Sequence, residues 1–555
     1  MIRKNGWIEQ LEKIYGDHEL AVQIADRMEE EFRPYEHTPA KAEALSEKDA
    51  MLITYGDTLH REGEAGFQTL HRFLKAHVGD AISNVHILPM CPYTSDDGFS
   101  VVDYKQINPP LGDWPDVQAL AADYGLMFDA VVNHISRSSE WFKRYLAWEA
   151  PYRDFFITSD PAADYHTVTR PRALPLLTRV ETADGEKYVW TTFSEDQIDL
   201  NYRCPDVLIA MMDVLLTYAS RGARFIRLDA IGFLWKELGT SCMHLPQTHE
   251  VIKLARMLLE DYCPGTKIIT ETNVPHKDNI SYFGQGDEAH LVYQFPLPPL
   301  TMFTLLKGDA THLTDWAAAL EPPAKGTTWF NFLSSHDGIG VRPTEGILSE
   351  EERQFLVDAT LRNGGSVSCK DNGDGTKSPY ELNINYQDAL ASPEDDDQTR
   401  IARFIAAETI LLSLQGMPAI YIHSLLGSRN DYYGRSVSGI PRRINREKLE
   451  ADFVERALGS HGNRQQIFDE LIHRLRLRGE HPAFSPEAAQ KVMKLDPRVF
   501  ALERTAADES VTVLINVSGE DVTLEGAFAG RDLLGDAPTG HTVRLHPYQC
   551  LWILQ

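Results

Sequence analysis

Cysteine is scarce in this chain: six residues among 555 (91, 204, 242, 263, 369 and 550), none in a CxxC pair. That argues against a disulfide framework and a structural zinc site, and fits reduced thiols in a cytoplasm. Positive charge is in deficit, 54 Lys and Arg against 81 Asp and Glu, for a formal net charge of −27. Such a surface repels nucleic acid and anionic membranes. Long apolar runs are missing too, and nothing approaches the ~18 residues of a membrane span. The opening MIRKNGWIEQLEKIYG mixes charges at helical spacing and has no apolar centre. It is therefore read neither as a signal peptide nor as an anchor. There is no internal repeat.

What is present is an ordinary globular composition, 43% hydrophobic and 24% charged. The length exceeds a single core and predicts roughly two to four domains. From residue 51, eight apolar runs alternate with helical stretches: MLITYGD, ISNVHILPM, LMFDAVVNH, RFIRLDA, IITETN, LVYQF, WFNFLSSHD and PAIYIHS. This alternation predicts an α/β fold, a (β/α)8 TIM barrel over 49–136, 201–337 and 401–486. Residues 1–48 read as a helical extension. Two intervals are too long for plain βα loops. Residues 137–200, with RPRALPLLTRV and KYVWTTFS, read as an inserted subdomain. Residues 338–400, with NGGSVSCKDNGDGTKSPYELN, read as a lid after the seventh strand. Over 487–555 the runs VFALERT, SVTVLINVS, DVTLEG and YQCLWILQ predict a C-terminal antiparallel β-domain.

Three runs close on a carboxylate: Asp229 in RFIRLDA, Glu271 in KIITETN and Asp337 in WFNFLSSHDG. A core would not tolerate these charges unpaired, and the C-terminal rim of a barrel is where catalytic groups sit. Two carboxylates flanking a sugar perform retaining glycosyl transfer. Arg227 lies two residues before Asp229, on the same strand face, and is expected to keep that carboxylate ionised. Each acid also has a plainer reading, as a buried ion pair for Asp229 and a helix N-terminal charge for Glu271. His134 closes DAVVNH, His336 precedes Asp337, and Asp96 lies in TSDDGF, all at the same rim. Phe99, Phe193 and Trp190 are candidate sugar-stacking aromatics, or core.

Taken together, DAVVNH, RFIRLDAIG, IITETN and FLSSHDGIG resemble the four regions of the α-amylase family, glycoside hydrolase family 13. FLWKELGTSC, HDGIGVRP, SPYELNINYQDAL and GSRNDYYGRSVSGIPRRINRE resemble its sucrose-phosphorylase-type branch. The resemblance spans roughly residues 50–480. It implies Asp229 as nucleophile, Glu271 as acid/base and Asp337 as transition-state stabiliser. It places Asp96, His134, Arg227, His336 and Arg446 around a glucosyl unit, with Phe99 and Phe193 as the aromatic platform and Gln197 nearby. It implies no metal and no organic cofactor.

The chain departs from sucrose phosphorylases at Asn273, where they usually show histidine, and at Glu381, where they show glutamine. It also carries the extra N-terminal segment. These departures resemble relatives that use glucosylglycerate or sucrose 6F-phosphate. The expected partners are then a sugar and inorganic phosphate, for a monomer or homodimer. Arg170, Arg172, Arg442 and Arg443, with Tyr380, are candidate donors to phosphate or to an anionic acceptor. Two other classes remain open from the residues alone: a hydrolase or transglucosylase on the same site, and a non-catalytic sugar-binding barrel.

Overall fold

The computed structural model describes residues 2–41, 44–172, 174–321, 323–371, 376–506 and 508–555. Eight parallel strands close into a barrel. They are β1 Met51–Thr54, β2 Asn84–Ile87, β3 Gly125–Ala130, β4 Ala223–Leu228, β5 Lys267–Thr270, β6 Leu291–Tyr293, β7 Thr328–Phe332 and β8 Met417–Tyr421. Met51 of β1 sits opposite Ala419 of β8 and closes the ring. β1, β2, β7 and β8 are buried at every position. Strands covered on both faces read as unbroken apolar runs, which is why these eight stood out in the sequence.

The helices Pro205–Ser220 and Pro246–Tyr262 precede β4 and β5, each with proline in the first turn. Proline is pre-set for that position and loses no hydrogen bond there. The helix Ile2–Tyr15 packs on the outside of Pro246–Tyr262, and His18–Glu31 packs on Ile2–Tyr15 and against Pro205–Ser220. Trp7 and Leu11 are buried in that contact, and Trp7 Nε1 donates to the Asp261 carboxylate at 2.9 Å.

Two long excursions rise above the C-terminal rim. After β3 come the helix Glu140–Leu146 and the hairpin Leu177–Thr182/Gly185–Trp190. The strand Gln197–Asp199 then returns to pair with His134–Ser136. After β7, Ile339–Gly340, Lys377–Asn383 and Ser366–Asp371 form a three-stranded sheet with Lys377–Asn383 in the middle. Residues 372–375 of the turn-rich lid sequence lie outside the described residues. From Ala489 the chain builds a six-stranded antiparallel sheet. Its Trp552 meets Phe484 with ring centroids 4.6 Å apart and belongs to the same apolar core as the barrel. The six cysteines are free thiols. Among the described residues, no helix is long and apolar enough to cross a membrane.

Candidate active site

The barrel ladder fixes the backbone of the first two acids. The Asp229 N–H donates to Ala130 O at 3.1 Å, and the Glu271 N–H to Leu228 O at 3.2 Å. Ala230 then turns left-handed, with φ of 50°. That conformation costs an alanine ~1 kcal/mol, so the surroundings must hold it. Its N–H donates to Glu271 Oε2 at 3.1 Å, so the strained turn positions one acid against the other.

Arg227 and Asp229 share a strand face and meet. Arg227 Nη1 lies 2.8 Å from Asp229 Oδ1, and Nη2 lies 3.8 Å from Glu271 Oε2. The same guanidinium is paired with Asp129 of β3, which His86 Nε2 contacts at 2.7 Å. His86, Asp129, Arg227 and Asp229 are all buried. Arg227 does not by itself hold the Asp229 carboxyl at its ordinary value. Burial pushes the Asp229 carboxyl up to about 8, Arg227 only partly opposes this, and the Glu271 charge adds to it. The arginine falls short because Asp129 already engages its charge. Burial raises Glu271 as well, with the charge of Asp337 contributing. Two such carboxyls hold one proton between them at neutral pH. Arg227, which lies nearer Asp229 than Glu271, favours that proton on Glu271.

Asp337 has the opposite environment. Burial alone would raise it, but Arg442 Nη1 at 2.6 Å outweighs that, and the carboxyl sits well below its usual value. Arg442 also makes a two-pronged contact with Glu381, at 2.9 and 2.6 Å. Glu381 comes from the lid strand, which pairs with Ile339–Gly340 just beyond Asp337. The close approach needs glycine: a Cβ on Gly338 would stand 2.5 Å from Leu382 O, and one on Gly340 2.9 Å from the Asn273 amide.

Above the acids lies a cavity of about 110 Å³ lined by Asp96, Phe99, His134, Phe193, Gln197, Asp229, Glu271, Asn273, His336 and Asp337 on the sugar side. Arg172, Tyr380, Glu381 and Arg442 complete the lining. Phe99 stacks on His336 at 4.9 Å, and Phe193 leans on His134 at 5.2 Å. His134 Nε2 donates to Phe99 O at 2.9 Å. Burial holds the His336 imidazole down to about 3, so it is neutral and offers hydrogen bonds rather than charge. Asp96 accepts from Arg172 at 3.1 Å and from Gln197 at 3.2 Å. Burial would raise Asp96, but Arg172, Arg442 and Arg446 hold it down to about 2. Burial pushes the Tyr380 phenol up to about 12, which keeps it a neutral donor.

Not every expected residue reaches this cavity. Arg227 lies beneath it and works through the two acids. Arg446 lies behind the wall, with Nε on His336 O at 2.7 Å and Nη1 on Asp97 at 2.6 Å. Arg170 is turned away: it is exposed and its guanidinium donates to Leu174 O four residues on. Arg443 faces Asp97 at 3.9 Å instead of the cavity. Trp190 is buried in the small apolar core of the excursion after β3, with Val168, Leu176 and Cys242, and is no sugar platform. The sequence reading missed Asp129, which an acid inside an apolar strand should have flagged as some cation's partner. It also missed Asp97 and the glycines Gly338 and Gly340. Among the described residues, no cluster of three or more His, Cys, Asp or Glu is arranged to hold a metal ion.

The chain resembles known proteins over nearly its whole length. Residues 81–340 match the family model described as "Alpha amylase, catalytic domain". The chain is 49% identical to the glucosylglycerate phosphorylase of Allomeiothermus silvanus, over 99% of this chain and 98% of that protein. It is 46% identical to the glucosylglycerate phosphorylase of Escherichia coli, over 98% and 99% of the two chains. The crystal structure of sucrose 6F-phosphate phosphorylase from Thermoanaerobacter thermosaccharolyticum superposes with a TM-score of 0.75 at 26% identity, covering 85% of this chain and 94% of that one. The chain belongs to the α-amylase family, glycoside hydrolase family 13, in its sucrose-phosphorylase-type branch.

Proposed function

We propose that this protein is a retaining α-glucoside phosphorylase that converts 2-O-α-glucosylglycerate and phosphate to α-glucose 1-phosphate and glycerate. Asp229 attacks the anomeric carbon while Glu271 protonates the departing glycerate oxygen. Asp337, kept ionised by Arg442, faces the positive charge that develops on the sugar. Phosphate then attacks the glucosyl ester from the face the glycerate left, so configuration is retained. Phosphate is an anion at neutral pH and calls on charge complementarity more than on a general base.

The observation that carries the acceptor assignment is the pair of cations on the cavity wall. Arg172 and Arg442 line the cavity with Tyr380; Arg172 leans on Asp96, and Arg442 joins Asp337 to Glu381 of the lid. The two reactants that take turns in the acceptor half of the site, glycerate and phosphate, are both anions. Arginine suits such partners because its fork matches carboxylate and phosphate oxygens. The relatives at 46–49% identity carry the same name as this reaction. Sucrose 6F-phosphate, also with an anionic acceptor half, is the second substrate on the same ground; neutral acceptors such as glycerol and fructose come after. The free thiols fit a cytoplasmic enzyme, acting as a monomer or homodimer.

The test runs the reaction backward. α-Glucose 1-phosphate is supplied with glycerate, glycerol, fructose or fructose 6-phosphate, and phosphate release is measured. Glycerate should be preferred, and the forward product should be the α-anomer by proton NMR. A preference for glycerol or fructose refutes the acceptor assignment, and a β-phosphate refutes the mechanism.

A further inference from the structure

We propose that Lys236 is a positioning residue for the glucosyl subsite: its buried ammonium is a fixed internal cation joining three separate segments, and it sets where His134 and Phe193 stand in the cavity. Lys236 follows the short helical turn Ile231–Phe233 after Asp229. Its side chain is 4% exposed, and its Nζ lies 2.6 Å from Asp199 Oδ2 and 2.7 Å from Asn133 Oδ1. Asp199 belongs to the returning strand of the excursion after β3. Asn133 lies three residues beyond β3, just before the strand His134–Ser136. One ammonium therefore ties the loop after the nucleophile to the barrel and to the inserted segment.

Each tie lies one to three residues from a group that lines the cavity. Asn133 precedes His134 and donates to Asp199 Oδ2 at 3.1 Å. Asp199 sits opposite His134 in the strand pair. Its carboxylate also accepts from Thr192 N at 2.9 Å and Thr192 Oγ1 at 2.6 Å. Thr192 precedes Phe193. Phe193 is held between His134 and Phe233, with centroid distances of 5.2 and 5.4 Å. Phe233 lies three residues before Lys236. Both flanks of the Phe193 ring, and the chain that carries it, thus trace back to the same ammonium.

Position alone does not separate this from a structural ion pair, but chemistry does. Removing one member of a buried pair strands a charge and destabilises, whereas removing both together is often neutral. A purely structural Lys236 is dispensable once Asp199 loses its charge. A positioning Lys236 is not, because an amide at 199 and an apolar side chain at 236 no longer draw the three segments to one point.

The inference rests on the phosphorylase reading only for its substrate, so glucose binding by calorimetry is measured beside turnover of α-glucose 1-phosphate with glycerate. Lys236→Met should raise the KM for α-glucose 1-phosphate and the Kd for glucose by about tenfold or more, with the KM for glycerate within about twofold. Lys236→Met/Asp199→Asn should recover thermal stability but keep the weakened glucose affinity. Lys236→Ala should regain affinity when propylammonium is added, since that cation fits the vacated place. The proposal is overturned if the double variant binds glucose as the wild type does, or if Lys236→Met leaves glucose affinity unchanged. Failure of the wild type to use α-glucose 1-phosphate would overturn the phosphorylase reading instead, while the glucose measurements would still decide the role of Lys236.

Discussion

Replacing Asp229 by asparagine should abolish activity and stabilise the fold. On folding, the Asp229–Glu271 pair keeps one proton up to about 8, where a free aspartate loses its own near 3.8, chiefly because both carboxyls are buried. Between those values the folded protein binds the proton more tightly than the unfolded chain does. Wild-type stability therefore falls as pH rises through that window. At pH 7 the ionisation penalty has an upper bound of about 4 kcal/mol, at ~1.36 kcal/mol per pKa unit. Asparagine has the same shape and no such penalty. It gives up a charge-assisted hydrogen bond from Arg227, worth about 1.5–3 kcal/mol. That arginine keeps its pairing with Asp129. The net expectation is a gain of about 1–3 kcal/mol at pH 7, read as a rise of a few degrees in Tm. The gap should shrink toward pH 4 and widen toward pH 8. Thermal unfolding of both proteins across pH 5–8 checks this, and turnover should fall by about three orders of magnitude. An Asp229→Asn protein less stable than wild type at pH 7.5, or a gap that ignores pH, would refute the electrostatic account. Retention of more than a tenth of wild-type turnover would remove Asp229 from the nucleophile's role.

Further outcomes follow from the same site. Because the Asp229–Glu271 pair holds its proton up to about 8, kcat/KM for glucosylglycerate should fall above that pH as the general acid is lost, and Glu271→Gln should lose glycerate transfer without an alkaline limb; a profile flat to pH 10 would contradict this. Arg172→Ala should weaken glycerate use by about 1.5–3 kcal/mol, the range for a charge-assisted hydrogen bond, and affect fructose or glycerol less. Equal losses on charged and neutral acceptors would show that Arg172 serves the fold or Asp96 rather than the acceptor.

Much of this architecture was legible in the residues, for a physical reason. Strands buried on both faces are largely apolar, and a charge at their end must be used or paired. So MLITYGD, ISNVHILPM, WFNFLSSHD and PAIYIHS marked barrel strands, and Asp229, Glu271 and Asp337 marked the rim. The motifs around them carried the family. What stayed hidden depends on register and loop path. That Arg227 is shared with Asp129 follows from their pairing across β3 and β4, which no local pattern reveals. Trp190 looked like the other rim aromatics until its partners were known. Arg170, Arg172, Arg442 and Arg443 are chemically alike, and only the loops decide that two of them line the cavity. Lys236 sits in an unremarkable FLWKEL stretch, and its meaning depends on Asn133 and Asp199, far away in sequence.

The lid strand and the loop of Asp337 are bonded twice, through the pairing of Gly340 with Glu381 and through the single guanidinium of Arg442. Acceptor choice and catalytic rate are therefore not separate traits that selection can adjust one at a time. A change at Glu381 that admits a new alcohol removes a partner of Arg442, one ion pair from Asp337. We expect such a change to slow the enzyme until further changes settle Asp337 again. Attempts to retarget this protein in the laboratory will meet the same order of events. Libraries that vary Glu381, Arg442 and the glycines after Asp337 together will find solutions that single-site screens miss.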